Sequence, residues 1–239
     1  MDELSLNAKQ VQADLDKINT EQAWNLSEEL AKIAQTTSLT ERQLAIAPVA
    51  YFTALGQLDA LKVAVAQALE AGLTPEQLQE VFLHQYAYAG FPRALNGLLT
   101  FQGVLQERKI EFQNNLITAY DKQVDYYQLG EKMLSILTQR DMRSITLNNF
   151  PGIDTALKAH LFGYLFARDQ ILSPVDRELV TVSTLTALET VPSQLRSHLT
   201  IVKNLGISKA EAQKFINSLK EVNAQAVTKA QEVLTAVYQ

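Results

Sequence analysis

The sequence predicts an all-α protein, a helical bundle, and three observations carry that prediction. Apolar residues recur at three- and four-residue spacing along most of the chain, as in LDALKVAVAQALEAGL (58–73) and LKAHLFGYLFARDQIL (157–172). Sustained period-two alternation, the mark of a half-buried strand, is absent. Helix-start signals stand where the apolar runs begin. Thr40-Glu41-Arg42-Gln43, Thr74-Pro75-Glu76-Gln77 and Ser208-Lys209-Ala210-Glu211 have the spacing of the capping box, and Ser173-Pro174 places an N-cap before a proline at N1. Gly72 and Gly206 fall where a preceding helix needs a left-handed residue.

Taken in order, residues 1–38 read as a leading helical extension with Trp24, Leu26, Leu30 and Ile33 on its apolar face. Residues 39–108 and 150–239 read as two copies of one helical unit. RQLAIAPVAYFTALGQLDALKVAVAQALEAGLTPEQ (42–77) and RELVTVSTLTALETVPSQLRSHLTIVKNLGISKAE (177–211) share an Arg-x-Leu start, an Ala-Leu before the first turn and a Gly-aliphatic-hydroxyl step before the third helix. Pro48 sits inside the first helix of copy one, where copy two has Ser183, so that helix is expected to bend or to start late. Residues 109–149 form a polar helical connector that ends at the turn signal Asn148-Asn149-Phe150-Pro151-Gly152. YAYAGFPRALN (86–96) reads as a corner: Gly90 and Pro92 end one helix and start the next. Tyr86 and Tyr88 are two residues apart and cannot share a helix face, so at most one is expected to face a pocket while the other packs.

Composition limits the chemistry. The 239 residues carry a formal net charge of -5 with no basic stripe, which argues against nucleic acid as a partner. No apolar stretch reaches about 18 residues and the start lacks the basic and apolar blocks of a secretory signal, so no membrane association and a cytoplasmic location are expected. With no cysteine in the sequence, disulfides, thiolate nucleophiles and cysteine-bound metals are excluded. Glu80, His84 and Tyr88 stand at i, i+4 and i+8 as a polar line on an apolar helix. A Glu-x3-His pair is a partial metal site, but no third ligand stands nearby, and no metal is expected.

The order of these pieces resembles the carboxymuconolactone decarboxylase and alkyl hydroperoxidase D-like family. RELVTVSTLTAL, SHLTIVKNLGISKAE, GLTPEQLQEVFLHQYAYAGFPRALN and HLFGYLFARDQILSPVDREL carry the likeness, over roughly residues 40–108 and 150–220. The resemblance implies an all-helical fold and a homo-oligomer, often built around a threefold, as in a trimer. It also implies two chemistries. The hydroperoxidase branch uses Glu, Cys-x-x-Cys and His; counting back from His198, the cysteine positions are Val191 and Gln194, so that thiol relay is missing.

The decarboxylase branch needs no thiol and no cofactor. Loss of CO2 from a small acid or lactone leaves an electron pair that must be delocalised and protonated, which calls for a proton donor, a cation for the carboxylate and an apolar wall. Glu178 and His198 are the catalytic candidates; their counterparts in copy one are Gln43 and Ala64. With a turn near 189–192, antiparallel helices leave the pair about 9 Å apart along the axis, a separation that does not by itself give a hydrogen bond. His84, Tyr88, Arg93, Arg168 and Arg177 are the substrate-binding candidates, the arginines as carboxylate clamps. His160 is expected to pack on its own helix face against Leu157 and Tyr164. The competing expectation is a family member without turnover, serving as a small-ligand-binding or structural helical oligomer.

Overall fold

A computed structural model of the chain describes residues 38–112, 121–143 and 149–239. The expected leading helix with Trp24, Leu26, Leu30 and Ile33 lies outside the described residues, as do 113–120 and 144–148 of the connector. Every regular element among the described residues is helical, so the fold is all-α: α1 Glu41–Leu44, α2 Ile46–Leu55, α3 Leu58–Glu70, α4 Pro75–Ala89, α5 Phe91–Glu107, α6 Tyr126–Thr138, α7 Pro151–Thr155, π1 Ala156–Phe166, α8 Pro174–Leu188, α9 Pro192–Asn204, α10 Lys209–Asn217 and α11 Ala224–Val237. The chain divides into two compact units.

One unit contains α6, α7 and π1. α6 begins at Asp125, whose carboxylate accepts from the Gln128 N–H, and packs along π1. The two backbones touch: a Cβ on Gly130 would run into the Lys158 carbonyl and the Gly163 N–H, and one on Gly163 would meet the Tyr126 carbonyl. Periodicity alone reads 156–166 as ordinary α-helix, whereas the chain there takes the wider π winding. Lys158 and Gly163 are five apart, the π repeat, and Gly130 is the residue that lets α6 lie on that turn. Phe150-Pro151 opens α7 with proline at its start rather than ending a helix. Lys158 is buried beside Glu131 (2.9 Å) and Asp154 (3.4 Å), and Tyr127 donates to Asp154 at 2.8 Å. His160 stacks on Tyr164 with ring centroids 5.4 Å apart.

The larger unit holds α1–α5 and α8–α11. Thr40 and Thr74 make full capping boxes with Gln43 and Gln77. Ser208 caps the Glu211 N–H but receives nothing back: the Glu211 carboxylate accepts from the Leu39 N–H at 2.7 Å instead. Gly72 and Gly206 are left-handed, with φ of 97° and 87°. Pro48 breaks its helix four residues upstream. A proline ring clashes with the carbonyl of residue i−4, here Leu44, and Leu44 is the last residue of α1; α2 restarts at Ile46 so that Pro48 falls in its first turn. Ser183, at the matching place in α8, keeps that helix unbroken and donates to the Ala47 carbonyl at 2.6 Å.

α8 has no solvent face: every residue from Val175 to Ala187 is buried. It packs against α2, α4 and α11. Ile46, Val49 and Ala50 of α2 and Leu179, Val180 and Leu185 of α8 are core residues, each large one contributing about 1.5–3 kcal/mol. The threonines of α8 satisfy themselves internally, Thr181, Thr184 and Thr186 donating to the carbonyls four residues before them at 2.9, 2.8 and 2.8 Å. The burial of α8 leaves its charged residues only neighbouring helices as partners.

Candidate functional site

Glu178 and His198 meet. The carboxylate Oε2 lies 2.8 Å from the ring Nδ1, with Glu178 fully buried and His198 8% exposed. The about 9 Å estimated from spacing overstated the gap. Glu178 is ten residues before Leu188 and His198 six after Pro192, so the offset between the helices is four residues, about 6 Å, which two long side chains span.

The other ring nitrogen, Nε2, faces the Tyr88 hydroxyl at 3.3 Å, and the two rings meet edge to face. Tyr88 reaches this place from the last turn of α4, just before the Gly90 corner, where φ is 83°. Tyr86 packs instead, stacked on Phe91 with centroids 4.4 Å apart. Burial, and next the Glu178 charge, push the Tyr88 phenol well above its ordinary value of 10.0, so it stays protonated at neutral pH. Burial also raises Glu178 above 4.5, against the opposing pull of His198. Its second oxygen, Oε1, is buried with no hydrogen-bond partner.

Beside this group lies a second one, built on α4 and α8 alone. Arg177 donates to the Glu80 carboxylate at 2.7 Å, both side chains being fully buried. Its Nη1 also approaches His84 Nδ1 at 3.4 Å, and His84 Nε2 lies 3.0 Å from the Thr181 hydroxyl. A guanidinium only donates, so Nδ1 is the acceptor; Nε2 then carries the proton and donates to Thr181, whose own hydrogen goes to the Arg177 carbonyl. The neighbours thus select one tautomer. Burial, then Arg177, then His198 hold the His84 pKa well below 6.5, so the ring is neutral.

Of the sequence candidates, Glu178, His198, Tyr88, His84 and Arg177 therefore come together. Glu80, expected only as part of a polar line, joins them. Arg177 is turned inward and its charge is matched by Glu80, so it does not stand as an open carboxylate clamp. Arg93 is exposed, and its guanidinium lies over the left-handed Gly56 at the end of α2. Arg168 belongs to the other unit, its guanidinium 5.3 Å from the Tyr164 ring centroid. Thr181 is the participant the sequence reading missed; its signal was the i+4 spacing from Arg177 on a helix already rich in threonine.

In the seam between the end of α8, the start of α9 and α11 lies a cavity of about 220 Å³, walled by Leu185, Val191, Leu195, Ala226 and Ala230. None of the residues in the two hydrogen-bonded groups lines it.

The sequence model of the carboxymuconolactone decarboxylase family matches residues 21–102. That stretch contains α4, with Glu80, His84 and Tyr88, and stops before α8 and α9. No curated protein matches the chain. The match covers about a third of the chain, and over that stretch the chain is similar to the carboxymuconolactone decarboxylase family.

Proposed function

We propose that this protein is a cofactor-independent carboxy-lyase of the carboxymuconolactone decarboxylase type, acting on a small organic acid or lactone. Glu178 and His198 are its acid/base pair. The observation that carries the reading is the 2.8 Å contact between a fully buried carboxylate and a histidine whose other nitrogen faces a phenol. Such a pair suits proton transfer, because the carboxylate fixes the ring's tautomer and stabilises the imidazolium when it forms. Thiol peroxidase chemistry is closed to a chain without cysteine.

The reading rests on a doubled helical unit in which the two halves exchange parts. The first half supplies α4 and the second supplies α8 and α9. The reciprocal set carries Gln43 on α1 and Ala64 on α3, with no titratable pair, so one of two ancestral sites remains. A homo-oligomer belongs to the same reading. It is supported by Phe91, Leu95 and Leu99, four residues apart on α5 and 62%, 54% and 66% exposed.

A second reading, a ligand-binding or structural family member, is favoured by one observation: Arg177, the arginine nearest the pair, is taken up by Glu80. The deciding measurement is CO2 release from carboxymuconolactone by wild type and His198→Ala. Release by wild type that falls at least about 100-fold in the variant supports the lyase. No release from either leaves the binding or structural reading.

A further inference from the structure

Both nitrogens of the His198 ring are engaged, Nδ1 by Glu178 and Nε2 by Tyr88. Imidazole has no third nitrogen to offer a substrate. Exposure also increases outward along this line: Glu178 is fully buried, His198 nearly so, and Tyr88 is half-buried. Of the three residues, Tyr88 carries the most exposed surface.

We propose, building on the lyase reading above, that Tyr88 is the group that hands the proton to the substrate, while His198, backed by Glu178, supplies it. The step begins with a proton on His198 Nε2, the Glu178 carboxylate against Nδ1 and the Tyr88 phenol protonated. When the C–C bond to the carboxylate breaks, CO2 leaves and the bonding electrons stay on carbon. The Tyr88 O–H bond breaks toward that carbon, and the phenolate oxygen takes the proton from His198 Nε2. The neutral ring keeps its Nδ1 proton on Glu178 and regains the other from water. The net change is one carboxylate and one proton to one C–H bond and CO2.

The surroundings also restrict the substrate. The nearest other ring, His84, lies 5.6 Å from Tyr88 between centroids and is neutral, and the Arg177 charge is matched by Glu80. Apart from His198 itself, the described residues of the group present no open cation to a developing carbanion. The substrate class that fits is a small acid carrying its own electron sink, a carbonyl or conjugated alkene attached to the carbon that loses CO2.

The test has two arms, both on the full chain. In the first, the protein is labelled at the tyrosine ring carbon bonded to oxygen, Tyr88 is assigned with Tyr88→Phe, and spectra are followed between about pH 5 and 9. The Tyr88 line is expected to move together with the His198 ring resonances, and to stop doing so in His198→Gln. A line indifferent to His198 overturns the proposal, whether or not the protein turns over. In the second, Tyr88→Phe is compared with wild type on carboxymuconolactone. A fall in kcat of at least about 100-fold, with KM changed by less than about threefold, supports proton delivery by the phenol. An unchanged kcat overturns it. Absence of CO2 from wild type overturns the parent lyase reading and the delivery step with it, and a coupled Tyr88 line then supports the relay alone.

Discussion

Arg177 and Glu178 are consecutive on α8 yet serve opposite neighbours: Arg177 reaches α4, to Glu80 at 2.7 Å, and Glu178 reaches α9, to His198 at 2.8 Å. Neighbouring helical residues point about 100° apart. One turn of α8 thus fastens the helix on two sides, with an ion pair on one and a carboxyl–imidazole hydrogen bond on the other. Predictions about stability and about chemistry separate along that division.

On the α4 side, Glu80→Ala or Arg177→Ala alone leaves a buried charge without its partner and is expected to cost about 3–5 kcal/mol in urea unfolding. The double replacement by Met, of similar bulk and uncharged, is expected to cost far less than the sum of the two. Additive losses would show that the pair is not the source of the penalty.

His84 gives a pH signature. The folded ring is held well below 6.5 while the unfolded one takes a proton there, so the unfolded state binds more protons in acid. Stability is therefore full above about 6.5 and falls as pH drops, by up to about 1.4 kcal/mol per pH unit, until the folded value is reached. His84→Gln is expected to remove this component from denaturation curves taken at successive pH values. In ring nitrogen spectra the wild-type residue is expected to show the Nε2–H tautomer throughout.

Glu178 has the opposite sign. Its folded value is raised above 4.5, so as pH climbs the unfolded chain releases its proton first. Stability from this group is present below 4.5 and is lost as pH rises through the folded value. Glu178→Gln is expected to flatten that decline, with the difference between variant and wild type growing across the acid range. A pH-independent difference would show that burial does not raise this carboxyl in the folded chain.

Packing on α5 offers a paired test. A Cβ at Gly97 would sit 2.6 Å from the Phe82 ring and 3.2 Å from the Thr53 methyl, whereas one at Gly103 would meet nothing within 4 Å. Gly97→Ala is expected to destabilise by about 1–3 kcal/mol. Gly103→Ala is expected to stabilise by up to about 1 kcal/mol through helix propensity. Equal effects at the two positions would contradict the tight α4–α5 contact.

The all-α class, the caps at Thr40, Thr74 and Ser173 and the corner at Gly90 were legible in the sequence, because period, capping chemistry and glycine conformation are local properties. The break before Pro48 was legible for the same reason. The π winding of 156–166 was not, since it shares its apolar pattern with an α-helix and is recognised by the backbone contact at Gly130. At the site, the family resemblance pointed to Glu178 and His198, and helical spacing to the face bearing Glu80, His84 and Tyr88. It did not reveal that Arg177 turns inward, because the partner that draws it in lies 97 residues away. Arg93 and Arg168 were chosen by proximity along the chain to the motifs, and proximity in sequence does not fix the direction of a long side chain.

With α8 enclosed on every side, the segment carrying Glu178 has no surface on which to accumulate neutral change. A substitution anywhere from Val175 to Ala187 disturbs an interior neighbour. The last turn of α4 and the Gly90 corner, which carry Tyr88, are only partly buried, so sequence change has room there while the helix behind stays fixed.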